Sequence, residues 1–275
     1  MQLIIGILFG IIVSGFARWL GALNRSGFLA AALIGSLVFG LGGLAWAVLL
    51  LIFFITSSVL SRVNFSQKSR VKEKYSKGSR RDWGQVLANG GVGALCVIAH
   101  AFFPQIVWIW VAYAGSLAAV TADTWATELG VLDPKLPRLI NNGQTVVRGT
   151  SGAISLGGSL AAVAGAVTIG IVTAFLTSSI LSIEVARNLV LVLAVSAGGI
   201  GGSFFDSLLG ATLQGIYYCP ECGKTTEQHP YHTCGTRTRH VRGWRWMNND
   251  IVNFLAAVIG SLAAIGFWVL TDNLR

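Results

Sequence analysis

Residues Thr121 to Gly130 read T-A-D-T-W-A-T-E-L-G and close a long apolar run that begins near Ile106. Asp123 and Glu128 therefore fall where a membrane helix meets water. An ionisable side chain at the centre of a bilayer costs ~2.5–3.5 kcal/mol on insertion scales, so a carboxylate kept in such a segment points to function. Asp206 and Asp250 occupy comparable edges of later apolar runs. The three segments are expected to build one metal and phosphate site.

Outward from that stretch, the composition fixes the class. Of 275 residues, 53% are hydrophobic and 11% charged, and several apolar runs reach the ~20 residues that a membrane-crossing helix needs. The chain reads as one all-α polytopic membrane domain over residues 1–275. Many of the 34 glycines lie inside the apolar runs, where small residues let helix backbones approach closely. The net charge of +9 reflects topology here; no basic stripe interleaved with aromatics marks a nucleic-acid partner. Met1 to Gly15 lacks a basic leader and a small-residue cleavage site, so it reads as a retained first helix.

About eight transmembrane helices are expected, near Gln2 to Leu20, Gly27 to Leu41, Gly43 to Leu60, Gly84 to Phe103, Ile106 to Ala122, Ser151 to Leu176, Asn188 to Leu213 and Ile251 to Leu270. The split near Gly40, Gly42 and Gly43 divides a run too long for one span. With both termini outside, eighteen of the twenty Lys and Arg residues fall in inside loops, leaving Arg187 and Arg275 outside. The positive-inside rule favours that arrangement, and it puts Asp123, Asp206 and Asp250 on the cytoplasmic side together. Residues 62–83 form a basic cytoplasmic loop suited to anionic headgroups, or to drawing in a lipid or nucleotide phosphate.

Beyond Glu128, prolines and the Asn141-Asn142-Gly143 turn predict an irregular loop that ends in Arg148-Gly149-Thr150-Ser151-Gly152, just before an apolar helix. Charge, hydroxyls and a helix N-terminus at that place suit a phosphate; ordinary N-capping by Thr150 or Ser151 is the plain alternative. No Walker-type G-x-x-x-x-G-K-[ST] occurs. Asp206 follows a glycine cluster and Ser203, and Asp250 lies between Asn249 and Asn253. Such oxygen-rich groups suit Mg²⁺, which would relieve the repulsion among Asp123, Asp206 and Asp250. Thr127, Glu128, Asn142, Thr150, Ser151, Ser203, Asn249 and Asn253 are the expected substrate and nucleotide contacts, and Arg148 joins the aspartates as a catalytic candidate.

Residues 214–249 form the one extramembrane module, a short cytoplasmic Cys/His insertion. Cys219-Pro220-Glu221-Cys222-Gly223 is a zinc-knuckle half-site, because the turn after the first Cys aims both thiolates at one metal. Cys234 with His232 or His229 completes a tetrahedral set, with His232 the ligand expected beside Cys219, Cys222 and Cys234. A structural Zn²⁺ would staple a segment too short to bury its own core. A disulfide is disfavoured on the cytoplasmic side. Cys96, inside an apolar helix, reads as packing.

The motifs T-A-D-T-W-A-T-E-L-G, R-G-T-S-G-A-I-S-L-G-G, G-G-S-F-F-D-S-L-L-G-A-T-L-Q and N-N-D-I-V-N-F, in this order and over nearly the whole chain, resemble the membrane family of transmembrane protein nineteen and the phytyl-phosphate kinases, domain of unknown function ninety-two. The chain is more distantly similar to CTP-using phytol and dolichol kinases and phosphatidate cytidylyltransferase. The resemblance implies a Mg²⁺ site facing the cytoplasm with Asp123, Asp206 and Asp250, phosphates near Arg148, Thr150 and Ser151, and an integral protein of a bacterial-type cytoplasmic membrane. It implies an isoprenyl-monophosphate kinase that uses CTP or another nucleoside triphosphate to form an isoprenyl diphosphate. A CTP-dependent lipid nucleotidyltransferase and a membrane transporter are the alternatives, and a homodimer is an open expectation. The Lys typical of the cytidylyltransferase phosphate motif has no clear match here, which leaves the choice of nucleotide open.

Overall fold

The computed structural model describes residues 1–63, 80–181 and 185–272. The basic residues Lys68, Arg70, Lys72, Lys74 and Lys77 lie outside the described residues. Eight long helices are present among those described: α1 Gln2–Trp19, α2 Arg25–Leu37, α3 Leu44–Val63, α4 Trp83–Phe102, α5 Val107–Gly130, α6 Leu156–Leu181, α7 Val185–Thr212 and α8 Asn249–Asp272. Seven of them, α1 to α4 and α6 to α8, are long and apolar enough to cross a membrane, α2 with the π turn that follows it. The chain is an all-α polytopic membrane protein.

The eighth, α5, falls short of that apolarity for a physical reason. Every residue from Val111 to Ala122 is buried, so all its faces meet other helices and none needs to satisfy lipid. Around it stand α3, α4, α6, α7 and α8. At one end Tyr113 anchors it, donating its hydroxyl to the Trp46 carbonyl at 2.5 Å and packing against Trp46 and Trp110.

The predicted break between the second and third helices falls at Gly43. A π turn over Val38–Gly42 precedes it, and Gly43 takes φ 84°, a backbone region that L side chains rarely adopt. Two other boundaries differ from expectation. α5 runs on to Gly130, so the whole acidic motif is helical rather than in the following loop. α6 starts at Leu156 rather than Ser151: residues 153–154 pair as a short strand (β2, Ala153–Ile154) with β1 (Arg138–Leu139), and Ser155 Oγ accepts the Gly158 N–H at 3.1 Å as the cap. Gly149 and Gly152, with φ 76° and 77°, supply the turns that postpone the helix.

The insertion carries a small antiparallel sheet of β3 Ile216–Cys219, β4 Lys224–Thr226 and β5 Arg239–Arg242, with β3 in the middle. It is tied to the membrane bundle by main chain: Gly215 N–H donates to the Met247 carbonyl and Trp244 N–H to that of Leu213, each at 2.8 Å. Arg242 donates to the carbonyls of Gly210 and Ala211, satisfying acceptors that the end of α7 would otherwise leave open.

Small residues bring α5, α7 and α8 together. A methyl group placed on Gly202 would lie 2.5 Å from Ala119 Cβ and 2.7 Å from the Ala256 carbonyl oxygen. Gly202→Val is therefore expected to destabilise the bundle by about 1–3 kcal/mol through forced separation of three helices. Thermal unfolding in detergent reads this directly, and an unchanged midpoint would contradict the close packing.

Candidate functional site

Helix packing alone brings the three aspartates to one end. Gly115 of α5 and Gly198 of α7 both pack on Gly260 and Ala264 of α8, and one turn on Gly202 meets Ala119, Ala256 and Gly260. Thus α5 and α7 run parallel and α8 antiparallel. From that shared level Asp123 and Asp206 each lie eight residues along, about 12 Å at 1.5 Å per residue, and Asp250 lies ten residues back along α8, about 15 Å in the same direction. Asn253 falls level with Asp123 and Asp206, and Asn249 one turn beyond it.

Asp206 is the centre of the arrangement. It feels the negative charges of Asp123 and of Glu227 from the insertion. Its Oδ2 is buried with no hydrogen-bond partner among the described residues. Ser203, one turn earlier on α7, is buried as well. Glu227 is held in place from two sides: its Oε1 accepts from Ser151 Oγ at 2.7 Å and from the buried Gln214 Nε2 at 2.8 Å. Neither Glu227 nor Gln214 was expected from sequence. The insertion is polar throughout, so a glutamate there carries no hydropathy signal.

The R-G-T-S-G loop splits in its contacts. Ser151 reaches the carboxylate cluster through Glu227, and Gly152 packs so closely on Ala211 that a side chain would collide with the α7 backbone. Arg148 Nη2 donates to the carbonyls of Asp133 at 2.6 Å and Pro134 at 2.9 Å, and Thr150 Oγ1 to that of Val147 at 2.7 Å. Asn142 is exposed and accepts the Gln144 N–H at 3.0 Å in a local turn. The α6 N-terminus is met by the chain itself, because the Gly157 N–H donates to Asp133 Oδ2 at 2.8 Å.

That clamp has a pH signature. Hydrogen bonds from the Gly157 N–H first, and from the Lys135 N–H second, hold the Asp133 carboxyl below its ordinary range. A depressed carboxyl stabilises the fold above its unfolded pKa, about 3.9, and loses that contribution as pH falls through the lower folded value. Acidification through that window should loosen the first turn of α6. Amide exchange at Gly157 and Gly158, corrected for its intrinsic pH dependence, is expected to rise there, and in Asp133→Ala already at neutral pH. Equal protection in both proteins would reject the clamp.

Glu128 faces α3. Ser61 Oγ donates to its Oε1 at 2.5 Å, and Arg81 lies close enough to feel its charge. Burial pushes the Arg81 guanidinium down to about 10, and Glu128 opposes that shift. Thr127, its neighbour on the helix, is exposed.

A second centre lies in the insertion. The ligand atoms of Cys219, Cys222, His232 and Cys234 all fall within 4.8 Å of one another, the one such converging set of three or more His, Cys, Asp or Glu side chains among the described residues. His232 Nδ1 is 3.5 Å from Cys222 Sγ and 3.3 Å from Cys234 Sγ, and the thiols of Cys219 and Cys234 are 3.5 Å apart. The choice between two histidines falls to His232; His229 instead stacks on Tyr217 with ring centroids 4.6 Å apart. Three soft thiols and one imidazole nitrogen at such spacing are a set that a tetrahedral metal can use.

Similarity to known proteins agrees with this architecture. Protein PGR of Arabidopsis thaliana is 31% identical over 275 residues, covering 93% of each chain. An uncharacterized membrane protein of Methanocaldococcus jannaschii is 31% identical over 88% of this chain and 84% of its own. Protein VTE6, chloroplastic, also of Arabidopsis thaliana, is 27% identical over 93% of this chain and 68% of its own. No solved structure is similar enough to count as a match. The description of the integral membrane protein family DUF92 matches residues 8–261, and the chain belongs to that family.

Proposed function

We propose that this chain is an isoprenyl-monophosphate kinase of the phytyl-phosphate type, transferring the γ-phosphoryl group of CTP or another nucleoside triphosphate to the lipid phosphate. One observation carries the reading. A buried Asp206 oxygen, without a hydrogen-bond partner among the described residues, feels the negative charges of Asp123 and Glu227 at one end of a membrane bundle. Carboxylates held together in that way call for positive charge, and phosphoryl transfer needs the same charge neutralised on its substrates. The motif resemblance to phytyl-phosphate kinases supplies the substrate class, and the positive-inside count supports a cytoplasmic setting for that end.

The residues suit Mg²⁺, which takes one or two carboxylates directly and completes its shell with water and substrate phosphates. Asp206 and Asp123 would hold it, with Asp250, Asn249 and Asn253 one turn or less away along α8. When bound, the ion would neutralise charge on the phosphates. The acceptor phosphate is ionised at neutral pH, so the protein's work is positioning and charge compensation rather than proton removal. In the insertion, Cys219, Cys222, His232 and Cys234 would hold a structural Zn²⁺.

The test is a product assay on detergent-purified protein with Mg²⁺, a panel of nucleoside triphosphates, and phytyl, geranylgeranyl and farnesyl monophosphates. Isoprenyl diphosphate formed in step with nucleoside diphosphate is the expected result. Pyrophosphate release with a nucleotide-linked lipid would replace the reading with nucleotidyl transfer, and absence of turnover with every pair would overturn it.

A further inference from the structure

Residues 239–246 lead from the small sheet of the insertion toward α8, and they leave several large side chains uncovered. Trp244 and Trp246 are 48% and 60% exposed and stack on each other with ring centroids 5.3 Å apart. Val241 is exposed on the same strand face as Arg239, and Arg239 pairs across the sheet with the exposed Tyr218. Most of the other exposed large apolar side chains lie on helices long and apolar enough to cross a membrane, where lipid would cover them. These four lie outside such helices, and exposed apolar side chains gathered on a polar module mark an interaction surface.

Main-chain contacts set the depth of this stretch. The apolar span of α7 ends at Thr212 and that of α8 begins at Asn249. The Trp244 N–H donates to the carbonyl of Leu213 and the Gly215 N–H to that of Met247. Met247 in turn is buried with Leu209 of α7 and Val252 of α8. The two indoles therefore sit level with the helix ends, five and three residues before α8 begins. That is the zone in which Trp is enriched in membrane proteins, because its amphipathic ring suits the boundary between headgroups and acyl chains.

Charge on the same module selects the headgroup. Residues 214–249 hold five Lys and Arg, Lys224, Arg237, Arg239, Arg242 and Arg245, against two Glu, Glu221 and Glu227. Glu227 is engaged by Ser151 and Gln214, and Arg242 by the carbonyls at the end of α7. Arg237, Arg239 and Arg245 are exposed, and Arg245 stands between the two tryptophans in sequence. Guanidinium forks match phosphate oxygens, and a basic stretch beside a bilayer is drawn to anionic lipid. We infer that residues 239–246 are a membrane-surface anchor that binds anionic phospholipid headgroups, with Trp244 and Trp246 at the headgroup–acyl boundary and Arg239 and Arg245 on the phosphates. The anchor holds against the bilayer the module that carries Glu227 and the Cys219, Cys222, His232 and Cys234 cluster. Because its ligand is a lipid of the surrounding membrane, the anchor stands whichever reaction the carboxylates serve.

For the test, the full chain is reconstituted in phosphatidylcholine nanodiscs with a phosphatidylglycerol that carries a photoreactive diazirine beside its headgroup, and the labelled residues are mapped. Label within residues 239–246, displaced by unlabelled phosphatidylglycerol and not by phosphatidylethanolamine, is the expected result for the native protein. Arg239→Gln/Arg245→Gln, two exposed positions, is expected to raise the phosphatidylglycerol fraction needed for half-maximal labelling about tenfold. The indoles have their own readout: the share of tryptophan fluorescence quenched by lipid brominated high on its acyl chains should fall in Trp244→Phe/Trp246→Phe. Absence of label from this stretch, equal displacement by phosphatidylethanolamine, an unmoved half-maximum in the arginine variant, or an unchanged quenched share would each overturn the anchor. Loss of the label to CTP would overturn it too, by giving Arg239 and Arg245 to a soluble phosphate ligand.

Discussion

Asp206→Asn is expected to lower kcat by about 10²–10³-fold or more while making the metal-free protein more resistant to heat. The two effects have one cause. In the native chain a buried carboxylate oxygen, without a hydrogen-bond partner among the described residues, feels the charges of two other carboxylates, Asp123 and Glu227. Like charges at close quarters in a low-dielectric setting repel, so removing the charge relieves the fold. The same charge is what would draw a cation and, through it, the transferring phosphates; losing one preorganised group of that kind typically costs two to three orders of magnitude. Mg²⁺ is accordingly expected to raise the unfolding temperature of the native protein, by mass action, and to leave that of Asp206→Asn nearly unchanged. Asp123→Asn should follow the same pattern. A variant that loses activity and also loses stability, with no change in its response to Mg²⁺, would mark Asp206 as structural and remove the main support for the site.

Asp123 and Asp206 could be found in the sequence because their setting contradicts it: a carboxylate amid apolar residues stands out by hydropathy alone. The helix count and the Lys/Arg asymmetry gave the expectation that they share one side, and the packing of α5 and α7 on α8 brings them to one level. The close approach that realises it rests on Gly115, Gly198, Gly202 and Gly260, and a glycine in an apolar run does not announce its partner. Glu227 stayed hidden for the opposite reason to Asp206. Among Glu221, Lys224, Gln228 and other polar neighbours it is unremarkable, and only the folding of β4 back over the end of α7 gives it a place beside Asp206. Helix ends were the other blind spot. Ser151 sits one residue before an apolar run and looks like a cap, yet two positive-φ glycines and the pairing of residues 138–139 with 153–154 delay α6, and Ser151 is thereby freed to hold Glu227. Likewise α5 continues through Thr121–Gly130 because nothing in that stretch breaks a helix, although its polarity suggests a loop.

Cys219→Ser is expected to abolish activity although Cys219 itself lies outside the carboxylate cluster. Cys219 is fully buried at the end of β3, with its sulfur among those of Cys222 and Cys234 and the imidazole of His232. Few large apolar side chains are buried in the insertion, so the sheet β4-β3-β5 has little core to keep it folded once a metal is lost. Structural zinc contributes an apparent ~10–16 kcal/mol in small domains, far more than such a sheet gains by packing. Its unfolding would release Glu227 from Ser151 and Gln214 and Arg242 from the last carbonyls of α7, so the loss would reach Asp206 through the chain rather than through the ion. The native protein should carry about one equivalent of zinc by elemental analysis and Cys219→Ser well under that. His229→Ala is the matched control: its ring stacks on Tyr217 outside the cluster, and it should keep both zinc and activity. Co²⁺ in place of Zn²⁺ should preserve turnover while giving the visible absorption of a tetrahedral thiolate site, because four protein ligands leave no open position for substrate. Full activity in a zinc-free Cys219→Ser protein would show that the module folds, and Glu227 stays in place, without a metal.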